Sequence, residues 1–315
     1  MQASKILKYI IENGSNQKNK LYRWIEILGF IIVLVAVLKI LSYVMNPIRL
    51  NNPGAVNERD RYVVSALTEE KDSMDVVVLG DSESEVLLSP QILWEEEGIS
   101  SYICGQPAQR LSEAYFFLED LLVKQHPKVV IIETNTMVLG TNWKLESLTY
   151  ADTLAYHEFP ILRYHHGYLE MWGLKDAPAI KAERGFEKRE QIAPYSGPEY
   201  MVETGDTYSI DFVARTYIDK IYQLCKKEDI SLVLVSAPSA VNMNYAKHNA
   251  IQNWADQNEV DYIDFNTMLD EIELDWQTDS LDGGDHINYN GTVKTTGYLK
   301  DYLKENYDLP DHRTD

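Results

Sequence analysis

Four segments of this sequence hold residues able to form and break an acyl bond. The first is Gly80-Asp81-Ser82-Glu83-Ser84, at the end of the apolar run DVVVLG (Asp75 to Gly80). A serine hydroxyl becomes a nucleophile when an imidazole takes its proton, and the imidazole needs a carboxylate to hold its tautomer. Both stand late in the chain, in Asp282-Gly283-Gly284-Asp285-His286-Ile287-Asn288. Between them come Gly105, closing the run SYICG, and Asn135, after the run KVVIIET. A glycine lets the backbone approach a ligand closely, so the Gly105 N–H suits a developing oxyanion. The Ser82 N–H and the Asn135 amide are the other candidate donors. Each feature alone has a plainer explanation. Asp81 and Ser82 are good helix caps, Gly105 a turn glycine, Asn135 a polar strand end, and Asp-Gly-Gly an ordinary loop. Chemistry is the better reading because all four stand at strand ends.

The elements that must position them are strands of an open parallel sheet. Short, apolar runs rich in β-branched residues recur at Asp75–Gly80, Ser101–Gly105, Lys128–Thr134, Ser231–Pro238 and Val260–Phe265. Helical stretches separate them, such as Leu111–Lys124, and another follows the histidine loop to about Tyr307. Continuous apolar strands alternating with helices predict five parallel strands covered on both faces. Sites on such sheets lie beyond the carboxyl ends of the strands. Residues 138–207 break the rhythm, being dense in Tyr, His, Trp and Pro with no clear strand, and predict a lid or small subdomain. His157, His165 and His166 of this insert do not make a metal site. Adjacent histidines do not readily face one ion, and no carboxylate spacing completes a ligand set. We expect no metal and no cofactor. Tyr164 and Trp172 offer rings for sugar stacking, against the plainer reading of packing.

Near the start, Ile25 to Met45 includes twelve consecutive residues without a charge, Ile27 to Leu38. The whole run is about the twenty residues that a membrane helix needs. Lys39 lies close enough to its far end to snorkel. No small-residue cleavage site follows. Lys5, Lys8, Lys18, Lys20 and Arg23 precede the run, which predicts a cytoplasmic N-terminus and an extracytoplasmic domain. The expected organisation is a cytoplasmic segment (1–24), an anchor (25–45), a tether (46–72), a domain (73–308) with its insert (138–207), and a tail (309–315). The formal net charge of -20 across 315 residues excludes a nucleic-acid partner, which would need a basic face. The two cysteines, Cys104 and Cys225, read as buried apolar residues.

Gly80-Asp81-Ser82, Gly105, Asn135 and the late Asp/His cluster resemble, in order, the four blocks of the SGNH (GDSL) hydrolases. The resemblance covers about residues 75–307. It implies a flavodoxin-like three-layer α/β/α fold, with Ser82 as nucleophile, His286 as base, and Ser82, Gly105 and Asn135 around the oxyanion. Asp81 would support the turn. With the anchor, the chain is similar to membrane-tethered members of bacterial cell-surface acylation, of the D-alanine transfer and alginate acetylation kinds. The implied activity is esterase or O-acyltransferase on acyl esters, acetyl above all, of surface glycans, with a membrane-bound acyltransferase as a possible partner. Two blocks depart from the family. The third has Glu133 and Thr136 beside Asn135 instead of Gly-x-Asn-Asp. The last has Asp282 four residues before His286 and Asp285 one before, where the family has Asp-x-x-His. Asp282 is preferred as the supporting acid, with Asp285 second and a Ser–His dyad third. Two rival readings remain: a non-catalytic partner or glycan-binding protein on the same scaffold, and a phosphate-binding flavodoxin-like module. The latter is disfavoured by the acidic turn.

Overall fold

The computed structural model describes residues 2–139, 143–179 and 183–314. The chain begins with helix α1 (Gln2–Val44), in which Lys20–Val44 is long and apolar enough to cross a membrane. At 1.5 Å per residue its 25 residues span about 37 Å, more than the roughly 30 Å of a bilayer core. The helix thus starts well before the expected anchor and ends one residue short of it. The expected tether is in part a folded element. Residues Arg61–Thr68 form α2, whose Val63, Val64 and Ala66 are buried. Val63 and Ala66 pack into the main core with Leu67 beside them, one apolar stripe of the helix.

The remaining elements follow in order: β1 (Val76–Leu79), α3 (Ser84–Leu87), α4 (Pro90–Glu97), β2 (Ser101–Ile103), α5 (Leu111–Leu121), β3 (Val129–Glu133), α6 (Asn135–Val138), α7 (Trp143–Glu158), α8 (Ile161–Tyr164), α9 (Tyr168–Met171), α10 (Phe212–Lys227), β4 (Ser231–Ser236), α11 (Tyr245–Asn258), β5 (Asp261–Asp264) and α12 (Tyr289–Asn306). The five strands form one sheet in the order β2-β1-β3-β4-β5, and every pairing is parallel. This is the flavodoxin-like order, and its switch point lies between β1 and β3.

The period of two along each strand divides the core into two layers. Val77, Leu79, Val130, Ile132, Leu232 and Leu234 face α2, α5, α10 and α11, where Trp254 is fully buried. Val76, Val78, Val129, Ile131, Val233 and Val235 face α3, α4 and α12. Both faces of the central strands are covered, so their sequences show no polar alternation. Cys104 and Cys225 are free and buried in the first layer, and burial raises both thiols above their usual range.

The insert is mainly helical at first, α7 to α9, and beyond them its described residues show no regular structure except for one bridge, Glu183 to Phe186. Its helices dock on the end of α1. Lys39 Nζ donates to the Glu158 carbonyl at 2.7 Å and meets its carboxylate at 3.0 Å, and Ile161 N–H donates to Ser42 Oγ at 3.3 Å. Met45, Ala55, Ile161 and Met171 form a small apolar cluster there. Lys39 thus has a counter-ion in the insert. His157 stacks on Phe116 of α5 with centroids 4.6 Å apart. His165 and His166 lean on each other at 3.8 Å. The expected tail also folds back, with His312 Nε2 at 2.9 Å from the Asp75 carboxylate.

Candidate active site

Ser82 leaves the carboxyl end of β1 in a turn that α3 continues, and it is half-buried while Asp81, Glu83 and Ser84 are buried. The turn is pinned from within. Asp81 Oδ1 accepts the Glu83 N–H at 3.0 Å, and the Ser84 hydroxyl donates to the Asp81 carbonyl at 2.6 Å. Asp81 therefore caps the turn, and Ser82 Oγ stays available for other partners. Gly105 packs directly against this turn. A Cβ there would stand 1.9 Å from Ser84 Oγ and 3.0 Å from the Asp81 carbonyl, so the close approach requires glycine. Among the described residues, no acceptor takes the Ser82 or Gly105 N–H. We predict that Gly105→Ala lowers kcat for an activated acetyl ester about a hundredfold by displacing the turn. The Tm should move far less than kcat, and equal kcat in the variant would count against the crevice as the reacting site.

The histidine stands on a loop closed by Leu281 N–H donating to the His286 carbonyl at 2.9 Å. Two left-handed glycines, Gly283 (φ 79) and Gly284 (φ 93), fold Asp282 back over His286. Asp282 grips the histidine twice: Oδ1 accepts its backbone N–H at 2.7 Å and Oδ2 meets Nδ1 at 2.7 Å. The other ring nitrogen, Nε2, lies 2.9 Å from Ser82 Oγ. Asp285 Oδ2 stands farther from Nδ1, at 3.8 Å, and its Oδ1 accepts from Asn242 Nδ2 at 2.5 Å. Proton positions follow from these partners: Nδ1–H toward Asp282 leaves Nε2 free to accept from serine. The ligand atoms of Asp282, Asp285 and His286 lie within 4.8 Å of one another, and both carboxylates face Nδ1, so a cation there would compete with the Asp282–His286 contact.

The insert and α12 brace both halves. Thr292 and Thr295 hydroxyls of α12 donate to the Val86 and Leu87 carbonyls at 2.7 and 2.6 Å, and Thr296 Oγ1 accepts the Ser89 N–H at 3.0 Å. The helix after the histidine thus satisfies the carbonyls left open at the end of α3, the helix after the serine. From the insert, Arg189 pairs with Glu85 at 2.8 Å. Its carbonyl accepts the Tyr289 N–H at 2.7 Å, and the Ala193 carbonyl accepts from Gly283 N–H at 2.9 Å. The rings beside the histidine loop are not Tyr164 and Trp172, which belong to the α8–α9 region. They are Tyr195, Tyr200 and Trp276, with Tyr195 and Trp276 5.9 Å apart. A Cβ on Gly284 would lie 2.7 Å from the Tyr195 ring. Sequence reasoning also missed Asn242. Its amide donates to Glu83 at 2.7 Å as well as to Asp285, so it ties the serine turn to the histidine loop.

Asn135 stands at the end of β3, buried, with Nδ2 donating to Asp81 Oδ2 at 2.9 Å. Its backbone N–H donates to the Glu133 carboxylate at 3.0 and 3.1 Å. One amide hydrogen is therefore committed to Asp81, and the other is left for a ligand. Asp81, Glu83 and Glu133 form a buried acidic group behind the serine. Burial raises all three carboxyls, Glu83 and Glu133 well above the usual range, with the neighbouring Asp81 charge adding to both. A raised folded pKa means that the native state holds protons the unfolded chain has already lost. Stability must therefore fall as pH rises above about 4.5, the unfolded glutamate value, until the folded groups ionise. The limit is about a tenfold loss in the folding constant per pH unit per carboxyl. Urea midpoints between pH 5 and 9 should decline, and Glu83→Gln should flatten the slope. An unchanged slope in the variant would show that Glu83 is ionised throughout.

No protein-family model matches the sequence, and no curated protein matches it. Among solved structures, the chain is similar to a GDSL-like lipase from Bacteroides thetaiotaomicron, at 12% identity, with 79% of this chain and 98% of that one covered and a TM-score of 0.40. It is also similar to a psychrotrophic esterase from a Pseudoalteromonas species inhibited by monoethylphosphonate, at 16% identity, with 74% and 98% covered and a TM-score of 0.40. Likenesses at this level assign no role to any residue of this chain.

Proposed function

We propose that this chain is a membrane-anchored serine hydrolase of the SGNH type, which cleaves acyl esters through an acyl-Ser82 intermediate. One observation carries the proposal: Ser82 Oγ, the His286 ring and Asp282 form a continuous relay with contacts of 2.9 and 2.7 Å. As Oγ attacks the ester carbonyl, its proton passes to His286 Nε2, and the imidazolium is stabilised by Asp282. The carbonyl oxygen gains the negative charge, which the Ser82 and Gly105 N–H groups and the remaining Asn135 amide hydrogen are placed to receive. When the C–O bond breaks, the same proton goes to the leaving alkoxide. An incoming hydroxyl then gives its proton to Nε2, attacks the acyl carbonyl, and releases Ser82 with its proton returned.

With Lys20–Val44 as the anchor and the positive residues before it on the cytoplasmic side, the site faces outward. The substrate class proposed is accordingly a small acyl ester, acetyl above all, of a surface glycan. The acyl group passes to water or to a second glycan hydroxyl, the latter in concert with a membrane-bound acyltransferase. A fluorophosphonate that reacts only with an activated serine tests the core of this reading. Mass spectrometry should place its adduct on Ser82 in folded protein and nowhere in urea-unfolded protein. Folded protein that stays unlabelled at Ser82 would mean a binding scaffold instead of an enzyme.

A further inference from the structure

A cavity of about 370 Å³ lies between α2, α5 and the insert helices α7 and α8, within the range of about 300–1,000 Å³ common to ligand sites. Val64, Phe117, Leu121 and Tyr156 make much of its wall, and Ile48 lines it just beyond the end of α1. The charged groups of the wall are already engaged. Arg163 donates to Asp60 at 2.9 Å, Arg59 holds Glu113 at 2.9 Å, Lys124 donates to the Thr68 carbonyl at 3.3 Å, and Asp120 lies 3.9 Å from His157. Gln109 is different. Its Nε2 donates to the Cys104 carbonyl at 3.3 Å. Its Oε1, on a side chain 1% exposed, is buried and meets no donor among the described residues. A buried acceptor left open is costly unless something entering the cavity supplies a proton.

We propose that this cavity binds a single-chain, uncharged lipid, with its hydrocarbon tail along the apolar wall and a head-group hydroxyl or amide N–H donating to Gln109 Oε1. Arg163 and Glu113 are already neutralised by Asp60 and Arg59, which argues against a charged head. The bilayer as source rests on reading Lys20–Val44 as a membrane span. In that case the cavity opens beside the membrane surface, because Lys39–Glu158 and Ser42–Ile161 fix its roof to the end of α1. Gln109 belongs to the loop that begins at Gly105, and Gln106 N–H of the same loop donates to the Gly80 carbonyl at 3.2 Å. The lipid would therefore sit against the loop that carries a candidate oxyanion donor, in a cavity that Ser82 does not line.

The test uses the full chain in phosphatidylcholine nanodiscs and a 1-O-alkylglycerol with a diazirine in its chain, an ether that the enzyme does not cleave. Photolabel is expected in Val63–Leu67 and Phe116–Leu121. Unlabelled alkylglycerol should compete about tenfold better than its di-O-methyl ether, the weight of one hydrogen bond. Gln109→Leu should erase that preference, while wall photolabelling and a cooperative thermal unfolding transition show that the variant is folded and still holds the tail. Label confined to α1, or equal competition by the two ethers in the unmodified protein, overturns the proposal. Wall labelling with none in α1 supports the cavity and counts against the membrane span. Hydrolysis in the same samples reports separately on the catalytic reading.

Discussion

Ser82→Ala and His286→Ala are each expected to lower kcat for an activated acetyl ester by about 10⁴- to 10⁶-fold. Either change removes the 2.9 Å contact through which the serine proton leaves. Without the imidazole the hydroxyl attacks as a neutral alcohol, and without the hydroxyl no acyl bond to the chain forms. The two residues act as one unit, so the double variant should be little worse than either single one. Its remaining rate would come from the Ser82 and Gly105 N–H groups and from substrate binding alone. Stability should hardly change, because Ser82 is half-buried and the turn is pinned by Asp81 and Ser84 instead. Steady-state kinetics on the three proteins, with thermal unfolding beside them, decide the matter. A Ser82→Ala protein with more than a tenth of the original rate would rule out the covalent route, and additive losses would mean that the two residues do not act together.

The three central strands were legible because they are buried on both faces, which leaves a largely apolar, β-branched run such as Val76–Leu79 with nothing polar to confuse it. The site was legible for a related reason: in a parallel sheet, strand ends are where side chains converge, so Ser82, Gly105 and Asn135 stood out at theirs. Asn242 was not found, although it follows β4, because an amide that bridges Glu83 and Asp285 has no spacing signal within its own segment. The same holds for Arg189, whose partner Glu85 is 104 residues away. The threonines of α12 look like weak helix formers, and only their hydrogen bonds to the carbonyls that close α3 explain them. The stretch 46–72 misled because Pro47, Pro53 and Gly54 mark its first half as irregular, while the apolar stripe of α2 is too short to outweigh them. The insert hid its helices under aromatic residues that pack on α1 and α5, contacts that arise only once the chain is folded.

Asp282→Asn should lower kcat by about four orders of magnitude, and Asp285→Asn by less than tenfold. The reason lies in how Asp282 holds the loop. Its Oδ1 accepts the His286 backbone N–H, and an asparagine there would keep its amide oxygen in that bond, the only acceptor it has. Its NH₂ group would then take the place of Oδ2, which now faces Nδ1. Two donors cannot share a hydrogen bond, so the imidazole would have to present a bare Nδ1 and carry its proton on Nε2. That is the nitrogen that must receive the serine proton. The ring would stay in place and the chemistry would stop. Asp285 meets a different constraint: its Oδ1 takes the Asn242 amide, and an asparagine oxygen serves equally well, while the 3.8 Å separation from Nδ1 leaves the tautomer untouched. Comparing kcat for both variants, with the fluorophosphonate labelling rate of Ser82 as a second readout, separates them. The reverse order of losses would make Asp285 the acid that orients His286, and equal small losses would leave a Ser82–His286 pair working without one.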